Sequence, residues 1–333
     1  MAVSNPTQLD PDFHAYDLIG DVHGCADALQ ALLDGMGYRR VHGVWRHPQR
    51  MALFTGDLID RGTEVRETVL RVREMVDAGA ARVVLGNHEY NLAGWFFPAP
   101  EDSGRGWLRA HTERNKAGLV ATLDSFEGHP ADLEATLAWI GELPLWLESP
   151  ALRVIHACWD TDLIAAFRAE HVERTFTPSL ARAACYRGSL ARRFLDRILN
   201  GSELPLPEDR VIRGRDGLHR RSFRTAFWTE DAETLGEVVF QPDSLPEDVH
   251  ALPIEDHERE RLLSYPAAAP PVFFGHYWRS GRPELQAHNV CCLDYSVVLG
   301  GRLVAYRFDG EARLDADSFA WMPASHGDRA QGV

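Results

Sequence analysis

Three times in the first ninety residues, a short apolar run gives way to a polar, glycine-bearing loop and then to apolar residues at helical spacing. The runs at 16–19, 51–54 and 82–85 read as buried strands, being too short for helices and bounded by turn residues. Ala28, Leu29, Leu32 and Leu33 form an apolar stripe over 26–36 that stops at Gly35 and Gly37. Val65, Val69, Val72 and Val76 form a second stripe over 63–78, with Thr63 a candidate N-cap and Gly79 a stop. Residues 41–50 are a polar excursion that suits a hairpin around Gly43. Strand, loop and helix in repeated succession predict a largely parallel sheet with right-handed crossovers.

After Pro98 the rhythm changes. Prolines and glycines mark an irregular loop, and helical stretches follow at 115–126 and 131–143. Residues 152–155 read as a strand ending in His156. The segment 161–224 is arginine-rich, helical at first and then irregular. An acidic stretch at 230–271 includes a helix near 255–263, and strands follow at 272–274, 290–293 and 303–308. The expected organisation is a single α/β domain over 1–333, with mostly helical cap insertions at 98–143 and 161–224. Residues 1–13 read as a loosely held arm and 316–333 as a mobile tail.

Composition narrows the class. The 333 residues are 45% hydrophobic and 25% charged, ordinary for a globular chain, with a net charge of −14. That balance disfavours nucleic acid and anionic membrane as partners. It leaves anionic substrates open, because bound cations reverse the local field. No apolar run reaches the length of a membrane span, and the N-terminus lacks a signal-peptide pattern. Five cysteines without a C-x-x-C pair suit reduced thiols, hence a cytoplasmic location.

The chemistry collects on the loops. Gly20-Asp21-Val22-His23-Gly24 follows the first strand, Gly56-Asp57-Leu58-Ile59-Asp60-Arg61-Gly62 the second, and Gly86-Asn87-His88-Glu89 the third. His156 and His276 each end a later strand. Carboxylate, imidazole and amide oxygen together suit borderline divalent cations, manganese first, with iron or zinc as alternatives. Asp21 and His23 can hold one ion; Asn87, His156 and His276 can hold a second; Asp57 would bridge them. Ions in such paired sites sit about 3.5–4 Å apart and share a hydroxide nucleophile. Arg61 can grip a phosphoryl oxygen.

These three motifs, with the downstream histidines, resemble the PPP-type metallophosphatases of the calcineurin-like metallophosphoesterase superfamily. The resemblance is strong over about 15–95 and moderate over 144–160 and 270–308. It implies a four-layer α/β/β/α sandwich and two divalent ions per chain, one on Asp21, His23 and Asp57, the other on Asp57, Asn87, His156 and His276. It implies that His88 protonates the leaving oxygen, with Asp60 holding its imidazole, and that Arg61 and Asn87 bind the phosphoryl group. A second phosphate-binding arginine is expected from the cap: Arg224 first, with Arg213, Arg215 and Arg221 as alternatives.

Two relatives compete for the substrate, and the expected reading is the first, a phosphoprotein (Ser/Thr or Tyr) phosphatase poor on dinucleoside tetraphosphates, with the symmetrical tetraphosphatase or another small-molecule phosphohydrolase as the alternative. Asp60, Glu89 and the stretch from Phe227 to Asp231 are similar to the bacterial serine/threonine protein phosphatases, which implies phosphorylated protein, peptide or small phosphoester substrates. The symmetrical diadenosine tetraphosphatase, by resemblance, has alanine in place of Asp60 and aspartate in place of Glu89. The layouts of 137–159 and 273–308 nevertheless run closer to that enzyme. A metal-dependent binding module without turnover is the third reading, against which every expected catalytic position is present.

Overall fold

The computed structural model describes residues 5–10, 15–207, 210–213, 219–241 and 245–324. Two sheets form its centre. In the first, Tyr16–Ile19 runs parallel to Met51–Phe54, which runs parallel to Ala81–Val83. On its other side Tyr16–Ile19 pairs antiparallel with Arg302–Phe308, which carries both Asp294–Tyr295 and Phe319–Pro323. In the second, Val272–Phe274 lies parallel to both Val290–Cys292 and Arg153–Val154, and Leu147–Glu148 closes the edge antiparallel.

The period-two alternation of strand side chains explains the layering. Leu18, Leu53, Tyr306 and Phe308 of the first sheet meet Val154, Phe273 and Cys291 of the second in one buried cluster. The Phe273 ring lies 5.2 Å from that of Tyr306. The alternate residues Ile19, Phe54, Val272 and Phe274 join the cluster built with the helices. Helices Ala26–Gly35 and Val65–Asp77 contribute Leu29, Leu32, Val69 and Val72 to it, and the later helices Thr161–Glu170 and Leu190–Asn200 contribute Phe167 and Phe194. The result is the expected α/β/β/α sandwich. Both strand faces are buried, which is why the core strands read as unbroken apolar runs.

Several expectations are corrected. The first sheet is mixed, not largely parallel, because Arg302–Phe308 returns antiparallel beside the first strand. Helix 115–126 breaks at Gly118 into Glu113–Ala117 and Val120–Ser125. The helix near 255–263 is one turn, Asp256–Arg259. Glu64, not Thr63, occupies the N-cap of Val65–Asp77, and its side chain makes no capping bond. The arm is tied down where described: Leu9 is buried, and its amide donates to Glu148 O at 2.8 Å. Nor is the tail loose over 319–323, which forms an edge strand with Phe319 packed against Tyr306. Its apolar side chains alternate between the two sandwich faces. Residues 325–333 lie outside the described residues.

The two segments expected as caps divide differently. Leu119, Phe126, Trp139 and Ile140 sit in the main core, as do Phe167, Leu180 and Phe194. Only the part beyond residue 201 builds a separate apolar cluster, with Leu204, Phe223, Leu235 and Val249 at its centre.

Candidate active site

All the metal-ligand candidates stand at strand ends on one edge of the paired sheets, where open α/β sheets place ligands. Backbone strain is concentrated there. His23, Asp57, Asp60, Arg61, His276 and Trp278 all have positive φ, between 45° and 72°. Each such residue costs about 1–3 kcal/mol and persists only where the surroundings hold it. Glycines make the crowding possible. A Cβ on Gly275 would lie 1.8 Å from Asp21 Oδ1, and one on Gly86 would lie 2.3 Å from Asp57 Oδ1. Gly275→Ala is therefore expected to push Asp21 out of place, at a cost of about 1–3 kcal/mol. The change is read as a melting temperature lowered by several degrees together with reduced bound metal; unchanged values of both would contradict the packing described.

Asp57 is the centre. Its Oδ2 lies 3.5 Å from His156 Nε2, 3.7 Å from His23 Nε2 and 3.9 Å from His88 Nε2. Its Oδ1 accepts the His88 amide at 3.0 Å. Two donor clusters share it: His23, Asp57 and His88 form one, and Asp57, His156 and His276 form the other. Asn87 Oδ1 joins the second, 2.9 Å from both His156 Nε2 and His276 Nδ1. Asp21 stands outside these clusters. Its carboxylate accepts the His276 amide at 2.9 Å and the Thr55 hydroxyl at 3.1 Å. Two lone pairs per oxygen leave it capacity to bind a cation as well.

The pit fits divalent cations. Asp21, Asp57, Asp60, Glu89 and Asp294 are all buried within a few residues of the donor set, and Arg61 is the guanidinium among them. So many buried carboxylates are costly without cations. Burial, followed by the charges of Asp294 and Asp57, pushes the Asp21 carboxyl well above its usual range. The buried Nε2 atoms of His23 and His276 have no hydrogen-bond partner among the described residues. Backbone carbonyls orient two of the imidazoles: His23 Nδ1 lies 2.8 Å from Ile59 O, and His156 Nδ1 lies 2.8 Å from Thr55 O. Such backing is what ligand imidazoles require.

Protonation separates the imidazoles into two kinds. Burial pushes His23, His156 and His276 below the usual histidine range, leaving them neutral and able to ligate. Burial alone would lower His88 too, but the charges of Asp57 and the hydrogen bond to Asp60 outweigh it and raise His88. Its Nδ1 is 2.6 Å from Asp60 Oδ2. Asp57 is itself held low despite burial, because His156, His88 and His23 surround it.

Two supports, Thr122 and Trp278, have no sequence signature. Thr122 donates its hydroxyl to Asp60 Oδ1 and accepts the Asp60 amide at 3.0 Å, fixing the partner of His88 from a helix sixty residues away. Trp278 lies under Arg61, whose guanidinium carbon is 4.0 Å from the ring centroid. Glu89 accepts the amides of Asp57 at 2.9 Å and Leu58 at 2.8 Å, clamping the central loop. Asp294 caps a turn, accepting the amides of Trp278 and Ser296. Arg224 Nη1 donates to His276 O at 3.1 Å, so it borders a ligand-bearing loop. Arg213 is exposed on a separate hairpin, and Arg215 lies outside the described residues.

The two-sheet sandwich thus gathers oxygen and nitrogen donors that could hold divalent cations at one edge. The chain belongs to the calcineurin-like phosphoesterase family, whose model matches residues 16–192. It is similar to the symmetrical bis(5'-nucleosyl)-tetraphosphatase of Ralstonia nicotianae, at 29% identity over 294 residues covering 87% of each chain. It is also similar to an asymmetrical bis(5'-nucleosyl)-tetraphosphatase of Halalkalibacterium halodurans, at 46% identity over 74 residues. That match spans only 22% of this chain and 30% of the relative. Among solved structures, a protein serine/threonine phosphatase from Saccharomyces cerevisiae aligns over 97% of this chain and 82% of its own, at 14% identity and a TM-score of 0.48. Among the described residues, no helix is long and apolar enough to cross a membrane.

Proposed function

We propose that the chain hydrolyses phosphoric anhydride and ester bonds at a two-cation centre, with His88 as general acid. The observation that carries this reading is the split among imidazoles around Asp57: three are held neutral and one is held ready to protonate. Environments that push like groups apart in this way assign ligand and acid roles. Asp21, His23 and Asp57 would hold one cation, and Asp57, Asn87, His156 and His276 the other; manganese fits this donor set, as do iron and zinc. When bound, the cations supply charge neutralisation and an activated water nucleophile.

The chain's own residues supply the rest. Arg61, stacked on Trp278, takes a phosphoryl oxygen. In doing so it turns its Nη2 away from His88 Nε2, 3.1 Å distant, and frees that nitrogen to carry a proton. The water oxygen bonds to phosphorus as the bond from phosphorus to the leaving oxygen breaks; the His88 Nε2 proton passes to that oxygen, and a proton released by the water passes to solvent, from which His88 is reprotonated before the next turnover. Asp60, braced by Thr122, keeps the ring aimed and stabilises its charged form.

For the substrate, the relative aligned over most of both chains supports a dinucleoside polyphosphate. A second reading, phosphoserine, phosphothreonine or phosphotyrosine in proteins or small phosphomonoesters, is favoured by the 2.6 Å pair of His88 and Asp60, since alkoxide leaving groups need the stronger acid. Both readings suit a cytoplasmic enzyme. The deciding comparison is kcat/KM of the metal-loaded protein on diadenosine tetraphosphate, a phosphoserine peptide, a phosphotyrosine peptide and p-nitrophenyl phosphate. The tetraphosphate is expected to lead. A phosphopeptide ahead by about a hundredfold, some 2.7 kcal/mol of transition-state preference, would transfer the conclusion to the second reading.

A further inference from the structure

Four arginines gather around one concavity on a chain whose net charge is −14. A cavity of about 410 Å³ is lined by Arg105, Arg187, Arg192 and Arg193, with Asp196 the one carboxylate on its described wall. Asp196 is already taken, its Oδ2 lying 2.6 Å from Arg192 Nε. Arg105, Arg187 and Arg193 make no ion pair with a described residue, and all three are exposed. Three unpaired guanidiniums around one concavity repel one another and stay soluble readily elsewhere; gathered here they form an anion receptor.

The cavity does not stand alone. Arg193 and Asp196 also line an adjoining cavity of about 780 Å³, which reaches Arg197 and Arg224. Its wall is balanced, with Asp160, Asp196, Glu203 and Glu260 among Arg193, Arg197, Arg224 and Arg261; Asp160 pairs with Arg197 at 3.3 Å, and Glu203 accepts the Ser222 hydroxyl at 2.8 Å. Arg224 bonds to His276 O, so this end of the groove abuts the second ligand cluster. At the other end, Arg192 and Asp196 lie near the Tyr90 phenol, two residues beyond His88 on helix Asn87–Phe96. Both volumes fall in the range of small-molecule sites, about 300–1,000 Å³.

A single phosphoryl group over Asp57 needs Arg61 and the cations only, so the extra arginines suit a ligand with further phosphates. We propose that this groove, centred on Arg187 and Arg193, binds the unattacked phosphates of a nucleoside polyphosphate while another phosphate lies in the metal pit. This rests on the phosphohydrolase reading and narrows it to polyphosphate substrates.

The test is the double variant Arg187→Glu/Arg193→Glu, with Arg187→Gln/Arg193→Gln as a milder partner, both at exposed positions. On diadenosine tetraphosphate, kcat/KM is expected to fall about a hundredfold, as the loss of two charge-assisted contacts implies, with the Gln pair falling less. Turnover of p-nitrophenyl phosphate, which fills only the pit, is expected to stay within about twofold, since these side chains lie outside it. Equal losses on both substrates, or no loss on the tetraphosphate, would overturn the proposal. If the wild-type protein turned over neither substrate, the phosphohydrolase reading itself would fail. The groove would then be judged by calorimetric titration with diadenosine tetraphosphate: binding by the wild type that the Glu pair lacks supports it, and absence of binding by the wild type refutes it.

Discussion

Asp57→Asn is expected to abolish turnover and to empty both cation positions. Asn keeps the size and the turn at φ 50°, so the loop itself survives. What it loses is the charge that three imidazoles, 3.5–3.9 Å away, share. Each cation then meets one fewer anionic ligand, and the water between them is less acidic. Removal of a shared ligand is expected to cost a thousandfold or more in kcat, roughly 4 kcal/mol of transition-state stabilisation. Metal analysis of the dialysed variant checks the mechanism: two full equivalents retained would show that Asp57 does not bridge.

His88→Asn is expected to retain metal and lose rate selectively. A general acid contributes about 10²–10⁴-fold when the leaving oxygen needs a proton. The loss is expected in full on a phosphoserine peptide, whose leaving alkoxide is strongly basic. It should be small on p-nitrophenyl phosphate and on a dinucleoside tetraphosphate, whose leaving groups are weakly basic. Asp60→Asn should follow the same order with smaller losses, because it acts through the His88 ring. Equal losses on all three substrates would instead make His88 a cation ligand, a role its place in the cluster with His23 and Asp57 would allow.

Much of this was legible in the sequence, for a physical reason. A strand buried on both faces reads as an unbroken apolar run, so the polar residues just beyond it stand out. Gly56-Asp57, Gly86-Asn87 and Gly275-His276 each mark a strand end where a glycine lets backbone and side chain pass closely. Hence the converging loops were readable: His23, Asp57, Asn87, His156 and His276 come together, while Asp21 stands beside the clusters and His88 takes the place expected for it. The same double burial hid the pairing of Tyr16–Ile19 with Arg302–Phe308, since a run without alternation carries no register. Thr122 and Trp278 were hidden differently. Each acts through one contact made by tertiary packing, and neither residue type is unusual in a helix or a loop. Arg224 was found by its position beside an aromatic stretch, yet its guanidinium donates to the His276 carbonyl. The arginine groove was hidden because Arg105, from one loop, meets Arg187 and Arg193 only in three dimensions.

The most direct test of a shared-carboxylate centre is electron paramagnetic resonance of the protein loaded with two equivalents of Mn(II) as a probe. Two ions joined through Asp57 are expected to give an exchange-coupled signal, and Asp57→Asn to abolish it. An uncoupled six-line spectrum from the wild-type protein at full loading would contradict the two-cation centre.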